Sequence, residues 1–169
     1  MSIAVLVTGG TFDKEYNELD GTLFFREPHV GQMLAQGRCR LPVRMQVVMM
    51  KDSLEMTGED RDLILHACSG CPEDRIVITH GTDTMEHTAR FLDGRLTGKT
   101  VVLTGAMVPY TFGSSDGLFN LGSALSFVQV LPPGVYLAMN GHCFPAGEVF
   151  KDKSQGIFLG RPAGKPPRE

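Results

Sequence analysis

Long apolar runs are missing from this chain of 169 residues. A membrane-crossing helix needs ~20 consecutive apolar residues, so none is expected. An excess of basic charge is missing too. There are 16 Lys and Arg against 19 Asp and Glu, a net charge of −3, and no basic cluster interrupts the chain. Nucleic acid is therefore not an expected partner. Met1-Ser-Ile-Ala-Val5 has neither the charged leader nor the apolar length of a secretion signal, which points to a cytoplasmic protein. Cysteine is scarce, at 4 residues. Cys68-Ser-Gly-Cys71 has the spacing of a zinc half-site or a redox pair. No second pair lies at ligand spacing, and the motif follows a helix rather than a first strand. Reduced structural thiols are the expectation.

Several catalytic signatures are also absent. No G-x-G-x-x-G occurs. Thr97-Gly-Lys-Thr100 ends like a phosphate loop, but Gly94 leaves three intervening residues where that loop has four, and the segment enters a strand. Gly113-Ser-Ser-Asp-Gly117 has Gly-x-Ser-x-Gly spacing but is entered from a loop, so it is no strand-to-helix nucleophile elbow. No His-Glu-x-x-His occurs among the 5 histidines. Both observations argue against a serine hydrolase triad and a zinc hydrolase. No metal and no cofactor are expected. His80, at a strand end before Gly81, reads as a packed histidine rather than a general base.

What the chain does have is alternation of short β-branched runs with amphipathic stretches. Residues 3–7, 44–50, 75–79, 100–104 and 134–139 read as strands. Helices are expected from His29 to about Ala35, over Gly58–Ala67 with Leu63, Ile64 and Ala67 inward, from Asp83, and from Asp116 to about Val130. Asp20-Gly21 suits a hairpin turn, so residues from about 15 to 26 can form a hairpin over the strand ends. Glu148-Val-Phe-Lys151 is a short extended piece. The pattern gives an α/β fold, a three-layer sandwich with a mostly parallel sheet. One domain is expected over 1–159, with a Pro/Gly-rich, disordered tail over 160–169.

The stretch Ile76-Val-Ile-Thr-His-Gly-Thr-Asp-Thr-Met-Glu-His-Thr-Ala89 organises the rest. A buried strand hands over to a helix at Gly81, placing Thr82 beside Asp83. These two suit a helix cap, with Glu86 in capping-box position after Asp83. A second strand, Ile3–Val7, also ends in small residues and hydroxyls, Thr8-Gly-Gly-Thr11. The carboxyl ends of parallel strands are where ligands bind. Ser53 ends a third strand.

Thr8-Gly-Gly-Thr11, His80-Gly-Thr-Asp-Thr-Met85, Thr104-Gly-Ala-Met107 and Ser114-Ser-Asp-Gly117 with Asn120 resemble, in order, the signature motifs of the L-asparaginase family, the bacterial type I/II amidohydrolases. The resemblance implies a flavodoxin-like sheet. Long members carry a C-terminal domain; this chain ends where that domain begins, so the resemblance is to a short, single-domain form.

The resemblance implies hydrolysis of L-asparagine to L-aspartate and ammonia. Thr11 would be the nucleophile and Tyr16 would shuttle or polarise its proton. Thr82, Asp83 and Lys151 would form a second set, with Lys151 as base. Asp83 would grip the substrate ammonium and Ser53 its carboxylate. Backbone groups around Gly10, Thr82 and Ala106 would line the oxyanion site. Lys151 rests on Ala146-Gly-Glu-Val-Phe-Lys151, which is similar to the family's Ala-Arg-Asp-Val-x-Lys with Gly147 and Glu148 substituted. A homo-oligomer, dimer or tetramer, is implied. A glutaminase, an ammonia-supplying amidotransferase part and a silent amino-acid-binding domain stay open as alternatives.

Overall fold

Alternation along the first strand sets the layering. In β1 (Ile3–Gly9), Ile3, Val5 and Val7 enter one apolar core, Ala4 and Leu6 the other, and all are fully buried. A strand apolar on both faces belongs in the middle of a sheet covered on both sides. The computed structural model describes residues 1–161.

After β1 come a two-stranded hairpin, β2 (Lys14–Tyr16) and β3 (Leu23–Phe25), then α1 (Val30–Gln36) and β4 (Val43–Lys51). Next are α2 (Gly58–Gly70), β5 (Arg75–Thr79), α3 (Met85–Leu92) and β6 (Thr100–Thr104). The chain closes with α4 (Gly117–Val130), β7 (Gly134–Met139), β8 (His142–Pro145), β9 (Val149–Asp152) and β10 (Ile157–Gly160). The main sheet has 6 strands in the order β4-β1-β5-β6-β7-β8. All neighbours are parallel except β8, which runs antiparallel to β7. Helices α2 and α3 pack on one face, α1 and α4 on the other. This is the mostly parallel three-layer sandwich expected from the sequence.

Counting only the parallel strands, the order is second, first, third, fourth, fifth: the flavodoxin-like order, whose switch point falls between the first and third strands. Here those are β1 and β5. Thr11 follows β1 and Thr82 follows β5, so both hydroxyls leave the sheet at the crevice where such folds bind ligands.

Two details differ from the sequence expectation. Leu63 is 55% exposed, because α2 turns Ile64 and Cys68 inward instead. Strands β8 and β10 have no counterpart in the sequence expectation; they are short, and among the described residues β10 pairs with β9 as a separate hairpin. Of the tail reading, Gly160 closes β10, while residues 162–169 lie outside the described residues.

Candidate active site

Four glycines let the ends of four strands close on one another. A Cβ on Gly9 would lie 2.4 Å from the Lys51 nitrogen, and one on Gly10 would lie 2.3 Å from the Gly81 nitrogen. A Cβ on Gly81 would meet Ser53 Oγ at 2.6 Å, and one on Gly105 would meet the His80 carbonyl at 2.4 Å. No other residue type fits these approaches. The register between β1 and β4 slips after Val7, and the Gly10 N–H donates to the Lys51 carbonyl at 3.0 Å. The glycines immediately before Thr11 and Thr82 are thus in backbone contact.

Hydroxyls fasten the strand ends. Thr8 donates to the Thr79 carbonyl at 2.7 Å, joining β1 to β5. Thr104 donates to the Ala138 carbonyl at 2.8 Å, joining β6 to β7. Thr11 opens a 3-10 turn over Thr11–Asp13 and is partly exposed.

Thr82 and Asp83 are not the cap of α3. The N-cap is Thr84, and its own side chain makes no capping hydrogen bond among the described residues. Both residues are instead engaged by Lys151, whose Nζ donates to Thr82 Oγ1 at 2.8 Å and to Asp83 Oδ1 at 2.7 Å. The Lys151 side chain is 5% exposed and that of Asp83 39%. The lysine arrives on β9, outside the main sheet, and β9 rests on α3. Glu86, a buried acid in the first turn of α3, accepts from the Lys151 backbone N–H at 3.5 Å.

Ser53 begins a 3-10 turn after β4, is 1% exposed, and its hydroxyl has no partner among the described residues. Thr84 donates to the Ser53 carbonyl at 2.8 Å and accepts from Arg61 at 3.3 Å, tying this turn to the loop after β5. Sequence reasoning missed Thr84 and Arg61. Thr84 lies inside the motif that was quoted, but only the fold shows where its hydroxyl goes.

Ala106 is fully buried, its side chain in the core beside α4. Its loop is held by Asp116, which accepts from the Met107 N–H at 3.0 Å and the Val108 N–H at 3.1 Å. Asn120 donates to the Gly105 carbonyl at 2.8 Å. The Ser-Ser-Asp-Gly segment and Asn120 therefore hold the Thr104-Gly-Ala-Met loop in place. Tyr16 makes none of these contacts. At the end of β2 it is 57% exposed, and its hydroxyl lies beside Gly21 in the hairpin turn.

Two buried titratable groups flank the site. His80 Nδ1–H donates to the Gly81 carbonyl at 2.8 Å and Nε2 accepts from Thr88 at 2.8 Å. Thr88 accepts in turn from Arg61 at 3.1 Å, a set that suits the neutral ring. Burial pushes the imidazole down to about 4. His80 is a packed histidine with both nitrogens satisfied. Asp13, two residues past Thr11, is fully buried, and that burial pushes its carboxyl up to about 6.

Residues 2–158 match the family model "Asparaginase, N-terminal". The L-asparaginase of Thermococcus kodakarensis is 32% identical over 162 residues, covering 93% of this chain and 49% of that protein. Its thermostable structure superposes with a TM-score of 0.79 at 31% identity, covering 95% of this chain and 51% of that one. L-asparaginase 2 of Escherichia coli is 58% identical over 88 residues, 50% of this chain and 25% of that protein. The glutaminase-asparaginase of Acinetobacter glutaminasificans is 37% identical over 115 residues, 66% of this chain and 34% of that protein. This chain spans about half the length of the Thermococcus relative and less of the other two. Fold, strand-end motifs and relatives agree: the chain belongs to the asparaginase family, and what it spans is the N-terminal domain.

Proposed function

We propose that the site hydrolyses L-asparagine to L-aspartate and ammonia by double displacement on Thr11. The observation that carries this reading is the buried Lys151 ammonium on Thr82 and Asp83, beside a glycine contact that brings the Thr11 turn to the same place. A hydroxyl nucleophile needs a proton acceptor, donors for the oxyanion and grips on the substrate.

In the first step Thr11 Oγ1 attacks the side-chain amide carbon while Tyr16 takes or polarises its proton. Tyr16 is carried on the β2–β3 hairpin, which would bring it over Thr11 by a closure of the kind that lids make on binding. Backbone N–H groups around Gly10, Thr82 and Ala106 hold the oxyanion, the Gly10 N–H itself being taken by the Lys51 carbonyl. Ammonia leaves with a proton, and the acyl group stays on Thr11 as an aspartyl ester. In the second step water attacks that ester. Lys151, in its neutral form, draws the proton from Thr82 or from the water, at a separation of the length that proton transfer requires. Ser53 binds the substrate carboxylate and Asp83 its ammonium, a charge-assisted contact.

Asparagine is the preferred amide. A glutamine side chain adds one methylene, worth ~1–3 kcal/mol of discrimination, and relatives named glutaminase-asparaginase favour a measurable second activity on glutamine. The free cysteines fit a reducing compartment, so the cytoplasm is part of the same reading, as is a homo-oligomer on family resemblance. Ammonia release from asparagine and from glutamine, each as kcat/KM, is the test. Asparagine should win by about ten- to a hundredfold; equal constants would remove the asparagine assignment, and no ammonia from either amide would leave a silent binding domain.

A further inference from the structure

The β2–β3 hairpin forms a sheet of its own, 2-stranded and apart from the main one. An isolated pair of strands is marginal in water and must be anchored by other contacts. Two side chains of β2 tie it down: Lys14 pairs with Asp52 in the turn after β4, and Glu15 reaches toward α1. Along β2, Glu15 is 19% exposed while the neighbouring Tyr16 is 57% exposed, as alternation on a strand requires. Glu15 Oε1 lies 3.3 Å from His29 Nε2. His29 is the residue before α1, is 2% exposed, and its backbone N–H donates to Asp13 Oδ1 at 2.8 Å. The other ring nitrogen, Nδ1, stands 3.8 Å from the same Asp13 oxygen. Asp13 belongs to the turn that begins with Thr11.

One buried imidazole is therefore placed between two carboxylates, one on the turn of Thr11 and one on the hairpin of Tyr16. The neighbours frame it. The Tyr110 ring lies 5.7 Å from the His29 ring, Thr111 donates to the Lys14 carbonyl at 3.3 Å, and Arg26 lies 3.7 Å from Glu15 Oε2. Neither His29 Nδ1 nor Asp13 Oδ2 has a hydrogen-bond partner among the described residues. Buried polar groups are ordinarily saturated, and an apolar side chain would fill such a place at lower desolvation cost. Stability alone does not explain this cluster.

We propose that His29 is a positioning residue: it clamps the β2–β3 hairpin to the nucleophile turn, through Glu15 on one and Asp13 on the other, and so sets where Tyr16 stands relative to Thr11. The proposal rests on the reading of Thr11 and Tyr16 given above. The clamp holds the hairpin's root, and the movement that brings Tyr16 over the site pivots there.

The test compares wild type with His29→Asn, His29→Gln and Glu15→Ala in the full chain. Backbone hydrogen exchange over residues 14–25 and kcat and KM for asparagine are measured together. A glutamine amide reaches the place of Nε2 and keeps the contact with Glu15, whereas asparagine reaches only the place of Nδ1. His29→Asn and Glu15→Ala should speed exchange of the hairpin by at least about tenfold, leave β1, β5 and β6 protected, and lower kcat about ten- to a hundredfold with a smaller change in KM. His29→Gln should stay near wild type in both. Unchanged hairpin exchange in both His29→Asn and Glu15→Ala overturns the clamp. Faster exchange at unchanged kcat overturns the positioning role. If His29→Asn loosens the whole domain, the partly exposed Glu15→Ala decides by the same criteria. Should wild type release no ammonia, the reading of the site fails, and the exchange measurements still decide whether the clamp exists.

Discussion

Lys151 Nζ donates to Thr82 Oγ1 at 2.8 Å across 69 positions of the chain. The two residues lie on elements that share no sheet: Thr82 follows β5 of the main sheet, and Lys151 comes from the β9–β10 hairpin. Their meeting depends on how that hairpin seats on α3. Lys151→Met keeps the length and packing of the buried stem and removes both charge-assisted bonds. Turnover should fall by roughly 10²–10⁴-fold, the range of a lost general base, with a melting curve close to wild type. A variant that keeps more than about a tenth of the activity places the base elsewhere.

Thr11→Ala and Thr82→Ala separate the two hydroxyls. Neither residue belongs to the sheet core, so each should fold normally. Thr11→Ala should lose about 10³-fold or more in kcat, as removal of a nucleophile does; Thr82→Ala should lose a comparable amount if water is activated through it. Ammonia release and thermal melts on the same preparations provide the check. Near-wild-type turnover in Thr11→Ala would identify another nucleophile.

Gly10 and Gly21 both have positive φ, 82° and 74°, but their surroundings differ. A Cβ on Gly10 meets Gly81 backbone at 2.3 Å, whereas one on Gly21 finds only the Tyr16 hydroxyl at 3.7 Å. Gly10→Ala should destabilise by about 3 kcal/mol or more and silence the site by prising the two threonine turns apart. Gly21→Ala should cost about 1–2 kcal/mol and leave activity nearly intact. Urea melts and ammonia release measure both. Equal behaviour of the two variants would contradict the backbone contact as the organiser of the site.

Asp13 and His80 give opposite pH dependences. The Asp13 carboxyl is raised from 3.8 to about 6 by burial. The folded state then holds its proton more tightly, so that stabilisation is full below about pH 3.8 and is lost as pH rises through about 6. His80 is lowered from 6.5 to about 4. Its contribution is full above about pH 6.5 and is lost as pH falls through about 4. Each amounts to about 3 kcal/mol at most, and over much of pH 4–6 the two slopes oppose each other. Asp13→Asn keeps an acceptor for the His29 N–H and removes one slope. It should be more stable than wild type at pH 7.5 and should lose stability more steeply on acidification through about 6.5 to 4. Urea melts across that range decide it. A variant less stable than wild type at pH 7.5 would contradict the buried charge at Asp13.

The central strands were legible because they are short β-branched runs between glycines, and burial on both faces makes such runs continuous. Thr11, Thr82 and Asp83 were legible as polar residues at strand ends. Other features depend on tertiary contact. Thr82 and Asp83 suited a helix cap by spacing, yet Lys151 claims both and the N-cap falls one residue later at Thr84. Leu63 suited an inward stripe, but α2 buries Ile64 and Cys68, with Leu65 and Ala67 packed beside them, and leaves Leu63 outside. Strands β8 and β10 carry no local signal strong enough to mark them, since their pairing partners create them. The exposure of Tyr16 belongs to the hairpin's own geometry, which a local pattern does not encode.

The central claim is a covalent aspartyl ester on Thr11. Enzyme turning over asparagine, quenched in acid and mapped by peptide mass spectrometry, tests it most directly. The Thr11 peptide should gain one aspartyl unit, enriched in Lys151→Met and absent from Thr11→Ala. An adduct on Thr82 with Thr11 unmodified, or steady ammonia release by Thr11→Ala with no adduct anywhere, would contradict it.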